Sequence, residues 1–168
     1  IEETLECVKE QDYPKKEIIV VNDDSNDDTE ELVKKFDIDL ISLHKNKGHS
    51  FASNIGIENS SGQYLALLDD DIEIDEEWTS LLVEQMRNLP NEVSIIQPKV
   101  KEGENFSKTE EGSTQTVQAC GILVKREDII DVNKYDDNYF AWVNDMELGA
   151  KIINNGKKVY CYPEAKVI

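Results

Sequence analysis

Short apolar runs alternate with longer amphipathic stretches along this 168-residue chain, and this alternation restricts its fold more than any other feature. Residues 17–22, 38–43 and 63–68 are rich in β-branched and other apolar residues, as buried strands are. The stretches between them carry apolar residues at helical spacing. Because this order is typical of βαβ units, we predict an α/β domain with a mostly parallel sheet flanked by helices.

Residues 93–97, 119–124 and 158–162 are three further predicted strands, the last ending before Pro163. Residues 99–116 lack sustained periodicity, so we expect them to form a long excursion over the surface. The predicted helices are one that ends before Pro14, one capped by Asp27 or Asp28, residues 50–59, one between Asp75 and Pro90, and residues 143–154.

The charge balance excludes two classes of partner. The chain has 18 Lys and Arg residues against 36 Asp and Glu residues, a formal net charge of −18. Nucleic acids and anionic membrane surfaces would be repelled, and a phosphate-bearing ligand would need a bridging cation. No apolar run approaches the roughly 20 residues of a membrane span. We therefore predict no membrane span and a cytoplasmic location, with membrane association through other regions left open.

The cysteines and histidines show no metal-ligand spacing. Cys7, Cys120 and Cys161 lie far apart, so we interpret them as buried thiols rather than as a disulfide framework or zinc site. His44 and His49 are also outside any metal-binding motif, so a histidine metal site is not expected.

An acidic stretch follows the first predicted strand at residues 22–29. In doubly wound folds, ligands bind at the carboxyl ends of strands, and a carboxylate there accepts hydrogen bonds from a base or from ribose hydroxyls. Asp23 is the candidate for such a role. Ser25, Asp27 and Thr29 are explained well as turn and capping residues.

Three adjacent carboxylates, Asp69, Asp70 and Asp71, follow the strand at residues 63–68. Their mutual repulsion would be relieved by a hard divalent cation. Because magnesium takes one or two carboxylates and completes its shell with phosphate oxygens, Asp69 and Asp71 are sufficient candidates. A solvated acidic turn is the alternative.

Two further carboxylates, Asp145 and Glu147, lie at the start of the last predicted helix. Residues two apart cannot share one helical face, so we expect one to face a cleft and the other to cap the helix or face solvent. The helix N-terminus should favour their ionised forms. Spacing alone supports capping as well as catalysis, and nearby Trp142 is interpreted as a core residue rather than a substrate platform.

Four stretches together resemble the family-2 glycosyltransferases of GT-A fold. Residues 11–29 resemble the family's Q-x-Y-P and E-I-I-V-V-D-D-G-S-x-D-x-T opening, and residues 46–56 its N-x-G-x-x-x-A-x-N-x-G stretch. Residues 64–71 resemble the strand that leads to the D-x-D motif, and residues 144–148 the E-D-x-D-L motif. Four matches in the right order make coincidence an unsatisfactory explanation.

The resemblance implies an inverting transfer of sugar from a nucleoside-diphosphate sugar to an acceptor hydroxyl, in polysaccharide or glycoconjugate synthesis. It implies that Asp23, Asp69 and Asp70 bind the nucleotide sugar, that Asp69 and Asp71 hold Mn²⁺ or Mg²⁺, and that Asp145 is the catalytic general base. The implied partners are the donor and a saccharide or glycoconjugate acceptor.

The chain also departs from the family pattern. Asn144 replaces Glu, Ser53 replaces a frequent Arg, and Asn22, Asp24 and Asp28 differ from the usual opening. We expect residues 1–168 to form a single GT-A domain that lacks the first strand and C-terminal elements of the family.

Two other functions stay open from the residues alone. The D-x-D run also fits a phosphatase that forms an aspartyl-phosphate at Asp69, although Glu73 is unusual for such a motif. A non-catalytic module that binds nucleotide sugars or cations is the second alternative.

Overall fold

The computed structural model describes residues 1–102, 105–106, 110–117, 120–141 and 143–168. The helices in this part of the chain are α1 (Glu2–Glu10), α2 (Thr29–Lys35), α3 (His49–Asn59), α4 (Trp78–Asn88), α5 (Arg126–Asp131) and α6 (Asn144–Asn154). The strands there are β1 (Ile19–Asn22), β2 (Asp39–Ser42), β3 (Tyr64–Leu68), β4 (Val93–Glu102), β5 (Asn105–Phe106), β6 (Gly112–Thr114), β7 (Gly121–Lys125) and β8 (Lys158–Val167). Among the described residues, no helix is both long and apolar enough to cross a membrane.

The sheet is mixed in direction. β1 and β2 pair in parallel, and the larger sheet has the order β3-β7-β4-β8-β6, with β5 beside β4. β4 and β8 are parallel, but β7 runs antiparallel between β3 and β4, and β6 is antiparallel to β8. The α/β prediction is confirmed, whereas the expectation of mostly parallel pairing needs this correction. An antiparallel pair needs no helical crossover, and among the described residues no helix lies between β4 and its antiparallel partner β7.

Successive residues in the central strands face opposite sides of the sheet and build two apolar layers. Ile95 and Ile122 contribute to the layer covered by α3, α5 and α6, while Ile96 and Leu123 contribute to the layer covered by α4. Trp78 at the start of α4 is fully buried in the second layer. The two layers cover both faces of β3 and β7, and the site lies where these two strands meet residues 69–73, called the acidic turn below.

β8 continues through Pro163, contrary to the prediction that it ends before this residue. Gln97 pairs with Cys161 and Lys99 pairs with Lys166, so Pro98 stands opposite residues 162–165. A strand tolerates proline where the ladder is interrupted, because no hydrogen bond is required from it there.

The expected surface excursion at residues 99–116 is partly wrong. β4 extends to Glu102, and β6 pairs with β8 as an edge strand. The pairing partner is distant in sequence, so local periodicity gave no sign of it. Helix α5 was not predicted, and the predictions for Ala119 and Trp142 lie outside the described residues.

The cysteines are less uniformly buried than expected. Cys161 is buried, and its sulfur accepts a hydrogen bond from Gln97 Nε2 at 2.8 Å. Cys7 and Cys120 are only half-buried. All three are free thiols, as predicted.

Candidate functional site

The centre of the site is the junction between the end of β3 and the start of β7. Leu68 pairs with Gly121, and the Asp69 N–H donates to the Cys120 carbonyl at 3.0 Å. The pKa of the Cys120 thiol is raised, first by burial and then by the charges of Asp69, Asp71 and Asp145. The carboxylates of the acidic turn and of α6 therefore all lie near the Cys120 thiol, beside this strand pair.

His49, the first residue of α3, lies between the two groups of carboxylates. Its Nε2 is 3.5 Å from Asp69 Oδ1, and its Nδ1 contacts the side-chain amide of Asn144. The hydrogen bond to Asp69 raises the pKa of His49 most, burial opposes this, and the charges of Asp69, Asp145 and Asp70 raise it further. The imidazole therefore lies among carboxylates that favour its protonated form.

Asp145 is half-buried in the first turn of α6 and accepts a hydrogen bond from the Tyr135 hydroxyl at 3.2 Å. Burial raises the pKa of Asp145, while His49 and Tyr135 act to lower it and Asp69 raises it again. The net pKa shift is upward, so burial outweighs every influence that favours the ionised form of Asp145. A raised pKa suits a general base.

Asp145 and Glu147 have different partners, but the expectation that the second of them caps the helix or faces solvent is wrong, because the Glu147 side chain is only 17% exposed and forms no cap. Glu147 Oε1 forms an ion pair with Lys151 Nζ at 2.9 Å on α6, and Asp145 contacts Tyr135.

Asp23 follows β1 and anchors the loop that leads into α3. Its Oδ1 accepts from the Lys47 N–H at 2.8 Å and its Oδ2 from the Gly48 N–H at 2.7 Å. Gly48 has φ 91°, and a Cβ there would lie 2.6 Å from the Phe140 ring. The loop is thereby fixed one residue before His49. A carboxylate has further lone pairs available, so Asp23 keeps acceptor capacity for a ligand.

Hydrogen bonds hold the backbone of the acidic turn in place, while the side chains of Asp70 and Asp71 stay exposed. Thr4 Oγ1 donates to the Asp70 carbonyl at 2.8 Å, and Glu73 exchanges two backbone hydrogen bonds of 2.9 Å with Ile168. The side chains of Asp70 and Asp71 are exposed. The turn therefore presents carboxylates on a fixed backbone.

The carboxylates of the acidic turn are oxygen ligands of the kind that a divalent cation prefers. Among the described residues, no group of three or more His, Cys, Asp or Glu side chains is arranged to hold a metal ion. Asp69 and Asp71 are hard oxygen ligands on one turn, which suits an ion that completes its shell with phosphate oxygens. Asp69 and Asp71 alone would therefore be an incomplete ligand set, and a cation here would need further ligands from the molecule that it binds with.

Sequence reasoning missed His49, Tyr135 and Cys120 as members of the site. His49 lies within the stretch at residues 46–56 that resembles a family motif, and this position was the available signal. Tyr135 and Cys120 gave no signal, because their proximity to Asp145 and Asp69 is created by the fold.

The family profile described as "Glycosyl transferase family 2" matches residues 1–143. The chain therefore belongs to the family-2 glycosyltransferases. It is 30% identical over 128 residues to a poly-beta-1,6-N-acetyl-D-glucosamine synthase of Staphylococcus epidermidis, covering 73% of this chain and 30% of that protein. It is 27% identical to the synthase of the same description from Staphylococcus aureus (strain COL), covering 98% of this chain and 45% of that protein.

Solved structures show the GT-A fold. The mannosyltransferase PcManGT from Pyrobaculum calidifontis, solved with GDP-Man and Mn²⁺, superposes with a TM-score of 0.84 at 22% identity, covering 99% of this chain and 52% of that one. S. aureus TarS 1–349, solved with UDP, superposes with a TM-score of 0.82 at 17% identity, covering 98% and 55%.

The chain spans less than half the length of the curated relatives it matches. Family membership favours the glycosyltransferase prediction over the aspartyl-phosphate phosphatase alternative.

Proposed function

We propose that this chain is the donor-binding and catalytic part of an inverting enzyme that transfers a sugar from a nucleoside-diphosphate sugar to an acceptor hydroxyl. One observation carries the proposal: Asp69, which follows β3, and Asp145, which lies on α6, both act on His49. Family membership supports the same reaction.

In this proposal the acidic turn holds the donor's diphosphate through a divalent cation. Asp69 and Asp71 are the ligands, Asp70 and Asp23 contact the nucleotide, and the cation is Mn²⁺ or Mg²⁺. When bound, such an ion offsets the negative charge that develops on the departing nucleoside diphosphate. The chain's net charge of −18 makes this requirement strict, because an unshielded diphosphate would be repelled.

Asp145 is the proposed general base. The acceptor oxygen attacks the anomeric carbon as the bond to the diphosphate breaks, and Asp145 takes the proton from the acceptor hydroxyl. Its partial burial raises its pKa and so increases its affinity for that proton. His49, placed between Asp69 and Asp145, separates the charge of the base from that of the acidic turn.

N-acetylglucosamine is the first sugar to test, with a growing saccharide as the acceptor. Two similar proteins are described as poly-beta-1,6-N-acetyl-D-glucosamine synthases. TarS, which has the same fold, was solved with UDP-GlcNAc. These similarities support a uridine-linked donor in polysaccharide synthesis.

Calorimetry with UDP, GDP and UDP-GlcNAc, each with and without Mn²⁺, tests the proposal. We expect one nucleotide to bind only when Mn²⁺ is present, and Asp71→Asn to weaken that binding at least about tenfold, because a cation ligand is lost. Asp39→Asn, an exposed Asp on β2, is the matched control and should bind normally. Absence of binding by every nucleotide in the presence of Mn²⁺ would contradict the donor site.

A further inference from the structure

Tyr135 is a core residue whose polar end reaches the site. It is 3% exposed and belongs to the apolar layer beneath α3, α5 and α6. Its hydroxyl donates to Asp145 Oδ1 at 3.2 Å, and its ring packs edge-on against His49 with 6.1 Å between ring centroids. A buried tyrosine hydroxyl requires a partner, and here the partner is the proposed base.

The backbone of Tyr135 is held from α3 by one side chain. Asn54 Oδ1 accepts from the Tyr135 N–H at 3.0 Å, and Asn54 Nδ2 donates to the Tyr135 carbonyl at 2.9 Å and to Asp137 Oδ1 at 2.7 Å. Asn54 is buried, so water does not compete effectively for these bonds. The position of the phenol relative to α3 is therefore fixed.

The turn before Tyr135 is tied to both neighbouring helices. Asn133 and Lys134 adopt positive φ values of 61° and 55°, which reverses the chain after α5. Lys134 Nζ pairs with Glu58 on α3 at 2.7 Å, and Lys151 on α6 donates to the Lys134 carbonyl at 2.7 Å. The same turn thus connects α3, which carries His49, with α6, which carries Asp145.

We propose that Tyr135 is a positioning residue whose hydroxyl orients the Asp145 carboxylate and keeps it ionised for proton transfer from the acceptor. This inference rests on the proposed role of Asp145 as the base. Tyr135 then contributes to catalysis as well as to the packing of the core.

The electrostatics of the surroundings agree with this role. The pKa of Tyr135 is raised well above its ordinary value by burial and then by Asp145, so the phenol stays protonated and donates. The groups that face Asp145 are His49 from α3, Asp69 from the turn after β3, Tyr135, and the Cys120 thiol, whose pKa Asp145 raises. Glu147 on α6 acts on Tyr135. Without the Tyr135 hydroxyl, His49 is left to lower the pKa of Asp145 against the effect of burial.

The test is the pH profile of the intact enzyme with Tyr135→Phe. We expect the acid limb of kcat/KM to move to higher pH by about half to one unit, since a hydrogen bond that lowers the carboxylate pKa is lost. Turnover below the limb should fall several-fold, with KM for the donor unchanged. Tyr160→Phe also removes a tyrosine–carboxylate bond, to Glu111 at 3.0 Å, and should leave the limb in place.

A titration that needs no turnover accompanies the kinetics. The ¹³C resonance of the Asp145 carboxyl, assigned by its absence in Asp145→Asn, should titrate at higher pH in Tyr135→Phe than in Tyr160→Phe. An unchanged titration overturns the inference, and so does a Tyr135→Phe enzyme that is slower at every pH with its acid limb unmoved.

The failure of the proposed function is a separate result. If Asp145→Asn retains full sugar transfer, the base assignment is wrong, and this is seen without any change at Tyr135. If the carboxyl titration shifts in Tyr135→Phe but the kinetic limb does not, the positioning role is overturned while nucleotide-sugar binding stands.

Discussion

The two sides of the site hold their carboxylates in different ways. On the side of β1, Asp23 is held by the backbone N–H groups of Lys47 and Gly48. On the side of α6, Asp145 is half-buried and contacts the Tyr135 side chain. Backbone donors fix the place of an anion, whereas side-chain donors and burial adjust its affinity for protons. This difference agrees with the proposed roles, ligand binding on the β1 side and proton transfer on the α6 side.

The largest expected effect is on turnover when the α6 side loses Asp145, the proposed base. Asp145→Asn should lower kcat by about 10²–10⁴-fold, the usual contribution of general base catalysis. Donor binding by calorimetry should change little. Glu127→Gln, an exposed acid in the first turn of α5, is the control and should retain activity. A loss of donor affinity as large as the loss of kcat would remove the distinction between the two sides.

The second effect concerns stability on the β1 side. Gly48→Ala should lower the free energy of unfolding by about 3 kcal/mol, because φ 91° and ψ 164° suit glycine alone and the new Cβ overlaps Phe140. Thermal unfolding should show a decrease in Tm of roughly 6–12 °C.

Gly156→Ala separates the two causes of this loss. Gly156 also has a positive φ, of 80°, but a Cβ there meets nothing within 4 Å. Its cost should be about 1 kcal/mol. Equal losses in the two variants would show that the packing of Phe140 on the loop contributes nothing.

A smaller effect is expected when the Asp23 charge is removed. Asp23→Asn keeps one oxygen for two backbone N–H donors, so the loop should lose about 1 kcal/mol of stability. Calorimetry should show weaker nucleotide binding with kcat little changed at saturating donor. If kcat falls and affinity stays constant, Asp23 belongs with the catalytic side of the comparison.

The smallest effect is a difference in how stability depends on pH. Because the pKa of Asp145 is raised in the folded protein, the folded state binds more protons than the unfolded state above about pH 3.9, and stability falls as the pH rises through that window. Asp145→Asn removes this loss, so the Tm of the variant minus that of the wild type should increase as the pH rises.

Asp27→Asn is the opposite case for the same measurement. Hydrogen bonds from Thr29 lower the pKa of Asp27, so its contribution to stability is present above about pH 3.9 and is lost as the pH falls. The Tm of this variant should therefore lie below that of the wild type near neutral pH and approach it in acid. If the Tm difference from the wild type changed with pH in the same direction in both variants, the opposite pKa shifts assigned to Asp145 and Asp27 would be contradicted.

Most helices and the central strands were predictable because their signals are local. The apolar run that forms β3 and the helical spacing that forms α4 each depend on neighbours in sequence. β6 was missed because its pairing partner, β8, is distant in sequence. The direction of β7 was missed for a similar reason, since no local pattern encodes the sense of a strand.

The candidate site was predictable in part. Asp69 and Asp145 could be selected from motifs, and the structure places both near His49. The raised pKa of Asp145 was not predictable, because it depends on burial by residues far away in sequence. The contact of Tyr135 with Asp145 likewise requires the turn that Asn54 and Lys134 hold against α3.

The backbone bonds between Glu73 and Ile168 give the acidic turn a mechanical connection to the end of β8. Ile74 also pairs with Val167 beside them. The position of the turn that carries Asp69 and Asp71 is therefore coupled to that of Ile168, so a change that disturbs the end of β8 should also disturb these two carboxylates.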